Sequence, residues 1–179
     1  MKLNAAKTII APTKATILGW IWINGTITAS SHKMSPLVSC APPSTATLLR
    51  SYIGSYKIFN KVLRGCAQYI SELEVALTGK QKGDKIEWTD SLKESFRNAQ
   101  NALSQTKSIT LPKPEDQLII VHDGSRVGIG SVLYLIRNGV MKLGGYFSAK
   151  LKSHQSRWLP CEIEALSVST SVRHFAPYI

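Results

Sequence analysis

Apolar positions change their spacing along this chain, and each change predicts a different element. Ile17 to Ile23 is dense in β-branched and aromatic residues around Gly19 and reads as a strand. Asn24-Gly25 is a turn pair, and Thr26 to Ala29 can return beside the first run as a hairpin. Pro36 to Pro43 reads as a connector. Beyond it the period lengthens to that of a helix: Leu48, Leu49, Tyr52, Ile53, Tyr56, Phe59 and Leu63 share a face, with Ser44 as the cap. Lys80 to Lys85 is a polar break. A second helix follows, capped by Thr89 or Asp90, with Leu92, Phe96, Ala99 and Leu103 on its stripe. Ser104 to Asp116, which holds Pro112 and Pro114, reads as a linker, and the main boundary is placed there.

The last third is different. Gln117 to His122 and Gly128 to Asn138 predict strands; Asn138-Gly139 is a turn, and Lys142 to Ser148 predicts a third strand, close enough for an antiparallel meander. Pro160 suits the first turn of a helix that runs to about Phe175. Its β-branched residues, among them Ile163, Val168 and Val172, make it a poor helix by propensity, so packing has to hold it. On this reading Glu164, Val168, Ser171 and Phe175 form the stripe that faces the sheet. The fold class that follows is mixed, α+β or α/β: a short hairpin, a helical middle, then three antiparallel strands and one helix.

Charge sharpens this picture. The 179 residues carry a net charge of +11, which suits a polyanionic partner. Met1 to Ser71 holds eight Lys or Arg and no acidic residue, whereas from Gln117 onward the acidic residues are Asp123, Glu162 and Glu164 alone. The cysteines Cys40, Cys66 and Cys161 are widely spaced and odd in number, which fits a reducing, intracellular compartment better than a disulfide framework. His32, His122, His154 and His174 are equally scattered, so neither set suggests a zinc cluster. The run TILGWIWI is far shorter than the ~20 residues of a membrane span, and no membrane partner is expected.

Asp123 closes the first strand of the last third, and Glu164 heads the predicted helix stripe. Facing one another, two such carboxylates would offer oxygen ligands suited to Mg²⁺. Each also has a plainer reading. Asp123-Gly124 can be a turn in which Asp bonds its own backbone, and Glu162 and Glu164 can be first-turn residues favoured by the helix dipole.

The residues from Val121 to Ile179 resemble the ribonuclease H domain of retrotransposon reverse transcriptases, and within that group the BEL/Pao elements. The shared features are Asp123-Gly124-Ser125 at a strand end, the Gly128-x-Gly130 entry to the next strand and Phe147-Ser148-x-Lys150-Leu151 in the third. Glu162-x-Glu164-Ala165-Leu166 at the helix start and the terminal His174-Phe175-x-x-Tyr178-Ile179 complete the set. Upstream, the stretch around Leu18-Gly19-Trp20 is similar to the end of a palm subdomain, where that step grips the primer terminus. PPSTATLLRSYIGSYKIFNKVL resembles the first thumb helices, and IEWTDSLKESFRNAQNAL a connection helix.

The resemblance implies residues 1–35 as palm end, 36–116 as thumb and connection, and 117–179 as the N-terminal part of a ribonuclease H-like domain. It implies Asp123 and Glu164 as catalytic metal ligands for two Mg²⁺ ions, Glu164 being preferred to Glu162 because it directly precedes Ala-Leu. Two further aspartates of the family site are expected after this helix, and the palm's paired aspartates before Met1. The chain by itself is therefore expected to be catalytically incomplete. The implied partners are an RNA–DNA hybrid or primer–template duplex, met by Leu18, Gly19, Trp20, Lys57, Lys61, Arg64 and Arg126, and the remainder of a Pol polyprotein. The implied setting is the cytoplasm, or a virus-like particle in an intact element. Arg126 is equally readable as an exposed turn residue. Two other readings stay open: a non-enzymatic nucleic-acid-binding remnant, and a gene fragment without activity.

Overall fold

The computed structural model describes residues 8, 10 and 12–179; the opening of the palm-like stretch, residues 1–7, 9 and 11, lies outside it. Ile17 to Ile23 is not one strand. Leu18 (φ 51°) and Gly19 (φ 79°) take left-handed dihedrals, as do Asn24 (φ 47°) and Gly25 (φ 75°). Two successive positive-φ residues make a tight turn whose twist matches the strands it joins. The segment therefore folds as β1 (Lys14–Ile17), β2 (Trp20–Ile23) and β3 (Thr26–Ala29), a three-stranded antiparallel meander. The first turn escaped the sequence reading because leucine is a poor turn residue.

The expected connector at Pro36 to Pro43 is helical over its first half. Helix α1 (Ser31–Ser39) is capped by Ser30, whose Oγ accepts the Lys33 N–H at 3.2 Å. Pro36 sits inside it; the hydrogen bond it forfeits would go to the carbonyl of His32, an exposed residue that water can serve. Helix α2 (Ala46–Lys57) is capped by Thr45 rather than Ser44, with Thr45 Oγ1 accepting the Leu48 N–H at 3.4 Å. The Ser44 carbonyl instead accepts the Ile86 N–H at 3.0 Å. The α-helix ends at Lys57, and a 3₁₀ turn at Ile58–Lys61 carries the apolar face onward to Phe59, Val62 and Leu63.

Helix α3 (Cys66–Val75) was absent from the sequence reading; its buried positions, Cys66, Ile70 and Leu73, keep helical spacing but lie among polar neighbours. Helix α4 (Asp90–Ala102) is capped by Thr89, and Phe96, Ala99 and Leu103 are buried as the stripe predicts. The Tyr56 hydroxyl donates to the Ala99 carbonyl at 2.8 Å, and the Phe96 ring lies 4.8 Å from that of Tyr52. Burial of each such aromatic contributes about 1.5–3 kcal/mol, so α2, α3 and α4 share one core.

The linker is anchored. Within it β4 (Ile109–Thr110) pairs with β3, closing the first sheet in the order β1-β2-β3-β4. Beyond it lie β5 (Gln117–Gly124), β6 (Gly128–Arg137) and β7 (Val140–Lys150), antiparallel in the order β5-β6-β7. A bulge falls between Leu133 and Tyr134. Helix α5 (Pro160–Phe175) covers one face of this sheet. Its buried stripe is Ile163, Ser167, Ser171 and Phe175, turned from the expected one: Val168 and Val172 are 43% and 47% exposed, and Glu164 lies at the margin. Ser171 and Phe175 belong to both stripes, and the close fit of Ile163 to β5 selects the observed one (below).

The helical core meets the second sheet through Asn60, in the 3₁₀ turn after α2, and Ser148 of β7. The Asn60 side chain donates Nδ2–H to the Ser148 carbonyl and accepts the Ser148 N–H on Oδ1, both at 3.2 Å. It thus does for the edge strand β7 what a neighbouring strand would do. Ser148 Oγ donates to the same Oδ1 at 3.0 Å and accepts the Ala67 N–H at 2.9 Å.

Candidate functional site

Strand β5 ends where α5 begins to cover it. Gly124 permits the approach, because a Cβ there would lie 2.9 Å from Ile163 Cγ2 and 3.1 Å from the Ile163 carbonyl oxygen. One turn further along the helix, Ser167 Oγ donates to the backbone carbonyl of Asp123 at 3.0 Å. Asp123 is therefore fixed by its main chain to the first turns of α5, three residues beyond Glu164.

The side chains diverge from this joint. Successive residues of a strand point to opposite faces. Gly124 and His122 face α5, and the Glu164 carboxylate lies 3.7 Å from His122 Nδ1. Asp123 faces the other way, exposed, into a cleft of about 580 Å³ between the sheet and the start of α3. Arg64, Gln68 and Ser71 line the opposite wall, and Tyr146 and Ser148 its floor. Burial, and secondly the nearby Tyr134, push the Tyr146 hydroxyl upward in pKa, against a smaller downward pull from Arg64. Among the described residues no group of three or more His, Cys, Asp or Glu converges on a metal position.

Glu162 is occupied otherwise. Its Oε2 accepts the Leu159 N–H at 2.8 Å, closing the first turn of α5 as a cap does. The expectation that Glu162 is a first-turn residue matches this contact. Glu164, expected on the stripe facing the sheet, lies half exposed beside the buried face, while keeping its place in the Glu-x-Glu-Ala-Leu pattern.

The expected nucleic-acid residues fall into three places. Leu18 and Gly19 form the β1–β2 turn, with Leu18 87% exposed. Trp20 is committed to packing, its ring 5.9 Å from that of Phe59, so Leu18 rather than Trp20 is presented outward. Lys57 is paired with Glu74 at 2.6 Å. Lys61 donates to the Tyr178 hydroxyl at 3.1 Å and lies 5.1 Å from that ring's centroid. Arg64 borders the Asp123 cleft, and Arg126 is exposed on the β5–β6 turn, whose Ser125 and Val127 form part of the same cleft. The Trp20–Phe59 contact sets the hairpin beside the turn that leads to Lys61 and Arg64.

The family model for the RNase H-like domain found in reverse transcriptase matches residues 88–179, just over half of the chain. The chain belongs to that family. Foamy viral protease–reverse transcriptase gives similar solved structures. One, in complex with an RNA/DNA hybrid, aligns with a TM-score of 0.81 at 16% identity over 96% of this chain and 23% of that one. Another, in complex with double-stranded DNA, gives 0.78 at 17% identity over 96% of this chain and 35% of that one. A third, described as dRH and also with double-stranded DNA, gives 0.79 at 16% identity over 92% and 29%. The chain thus spans between about a quarter and a third of those polypeptides, and at such identity the likeness establishes a shared fold. That fold is the reverse transcriptase and RNase H-like arrangement of helical segments followed by a small antiparallel sheet with its helix. Among the described residues no helix is long and apolar enough to cross a membrane.

Sequence reasoning missed His122, Ser167 and Asn60. His122 and Ser167 carried no signal beyond their positions, and Asn60 none at all. Ser148 stood inside the recognised Phe-Ser-x-Lys step, though nothing in the sequence revealed its dock on Asn60.

Proposed function

We propose that this chain is a portion of a retrotransposon reverse transcriptase of the BEL/Pao kind, and that it holds an RNA–DNA hybrid or primer–template duplex. Residues 1–35 would be the end of the palm, 36–116 the thumb and connection, and 117–179 the ribonuclease H-like part, working within a larger Pol polyprotein in the cytoplasm or a virus-like particle. The observation that carries this reading is the joint arrangement of hairpin, helices and sheet, in which 96% of this chain follows 23% of the foamy viral polypeptide. That enzyme is seen in complex with an RNA/DNA hybrid, and the net charge of +11 on this chain suits such a polyanion.

The duplex would contact Leu18 and Gly19 at the hairpin and Lys57, Lys61, Arg64 and Arg126 along its phosphates, contacts that position without reading sequence. Lys57 would give up Glu74 to take part. Asp123 and Glu164 offer oxygen donors of the kind Mg²⁺ takes. When bound, the ion would activate water for hydrolysis of the RNA strand. In the present geometry Asp123 aims into the cleft and Glu164 at His122, so the two donors do not by themselves complete a two-ion site. The chain alone is therefore expected to bind without cutting.

Fluorescence anisotropy with a labelled RNA–DNA hybrid tests this. Binding should weaken steeply with salt, with a log–log slope of about −3 for three or four phosphate contacts, and should survive Asp123→Asn. Failure to bind hybrid or duplex at low salt would refute the proposal. Mg²⁺-dependent cleavage that vanished with Asp123→Asn would show that the chain completes a nuclease site and overturn the binding-only reading.

A further inference from the structure

The β1–β2 turn is held from outside. The Lys33 ammonium, from the first turn of α1, donates to the Leu18 carbonyl at 2.7 Å and lies 5.1 Å from the centroid of the Trp20 ring. Its aliphatic stem fills the space beneath Gly19, where an added Cβ would come within 2.9 Å of Lys33 Cβ. Beside it the Ser30 N–H donates to the Gly19 carbonyl at 3.0 Å, and Ser30 Oγ accepts the Lys33 N–H. The first turn of α1 and the hairpin turn are thus locked together at both carbonyls of the turn.

Leu18 itself bears the consequence. It is a leucine at φ 51°, a region its side chain disfavours, and it is 87% exposed. Neither local propensity nor burial keeps it there. Besides the pairing of Ile17 with Trp20, the contacts that hold it are the Ser30 N–H on the Gly19 carbonyl and the charge-assisted hydrogen bond from Lys33 to the carbonyl of Leu18 itself. The cation is also kept from reaching outward to a phosphate as an ordinary surface lysine would. Strain held by surrounding contacts at an exposed tip is the pattern of a preorganised contact residue.

We infer that Lys33 is a positioning residue that fixes the Leu18–Gly19 turn so that Leu18 is presented to a bound duplex end. This rests on the proposed duplex binding and deepens it: Lys33 acts through the turn and does not itself touch nucleic acid.

The full chain is compared as wild type, Lys33→Met, which keeps the stem and loses the donor, and Lys33→Arg, which restores a cation over Trp20. Two readouts are taken: amide hydrogen exchange at residues 18–20 and affinity for an RNA–DNA hybrid with a recessed end. Lys33→Met should speed exchange in the turn and weaken binding about tenfold, because binding must then order a turn that one charge-assisted hydrogen bond no longer holds. Lys33→Arg should recover both, and the melting temperature should stay near wild type in each. Unchanged exchange in Lys33→Met would overturn the clamp. Faster exchange with unchanged affinity, or with weakened affinity that Lys33→Arg does not restore, would overturn its role in positioning. If the wild-type chain bound no duplex, the proposed function would fall, and the exchange readout alone would decide whether Lys33 holds the turn.

Discussion

Replacing Asn60 by alanine should loosen the sheet of the last third from the helical core. The Asn60 carboxamide makes three hydrogen bonds to Ser148: to its carbonyl at 3.2 Å, from its N–H at 3.2 Å and from its hydroxyl at 3.0 Å. Each such bond contributes about 0.5–1.5 kcal/mol net. Both residues are only partly buried, so water can replace some of what is lost. A cost of about 2 kcal/mol is the reasoned figure. Because β7 is an edge strand, the loss falls on the junction and not on either core. Urea unfolding of the full chain, followed by tryptophan fluorescence and by circular dichroism, should therefore show the two probes parting company in Asn60→Ala. Ser148→Ala removes the hydroxyl that bonds both Asn60 and the Ala67 N–H, and the double mutant should cost less than the sum of the singles. An Asn60→Ala variant within about 0.5 kcal/mol of wild type, the range of an ordinary surface change, or a strictly additive cycle, would refute the junction as described.

Three further outcomes follow from single contacts. The Arg137 guanidinium grips Asp116 at 2.7 and 2.6 Å and holds its carboxyl at about 2, well below the usual carboxylate range. A depressed pKa gives stability that is present above the unfolded value, about 3.9, and lost as pH falls through the folded one, so acid unfolding of Asp116→Asn should show a shallower pH dependence between about 4 and 2; an unchanged slope would contradict the pair. Leu18→Gly should stabilise the chain by about 1 kcal/mol, since glycine tolerates positive φ, while weakening duplex binding; a stability loss in thermal melts would contradict the strain. Burial pushes the Cys66 thiol up to about 12 and also raises that of Cys40, whereas Cys161 is exposed. A thiol reagent at pH 8 should therefore label Cys161 first and Cys66 only on unfolding, and early labelling of Cys66 would contradict its place in the core.

The sequence disclosed most where period and turn chemistry agreed. Asn24-Gly25 and Asn138-Gly139 marked true turns, and Phe96, Ala99 and Leu103 marked a true buried stripe. It failed where a tertiary contact overrode local preference. Leu18 turns because Lys33 and Ser30 hold it, α1 tolerates Pro36 near its exposed first turn, and Gly124 admits Ile163 so closely that α5 rotates away from the stripe its valines suggested. Of the candidate site, Asp123 and Glu164 were legible as positions in a pattern. The directions of their carboxylates were not, because strand pleat and helix rotation fix those only after docking.

The most direct test of the central claim is a hydrogen-exchange footprint of the full chain with and without a saturating RNA–DNA hybrid. Protection is expected along one path: the turn at residues 18–20, the stretch from Lys57 to Arg64, and the β5–β6 turn around Arg126. Protection confined to other surfaces, such as the exposed Val168 and Val172 side of α5, or none at all under binding conditions, would contradict it.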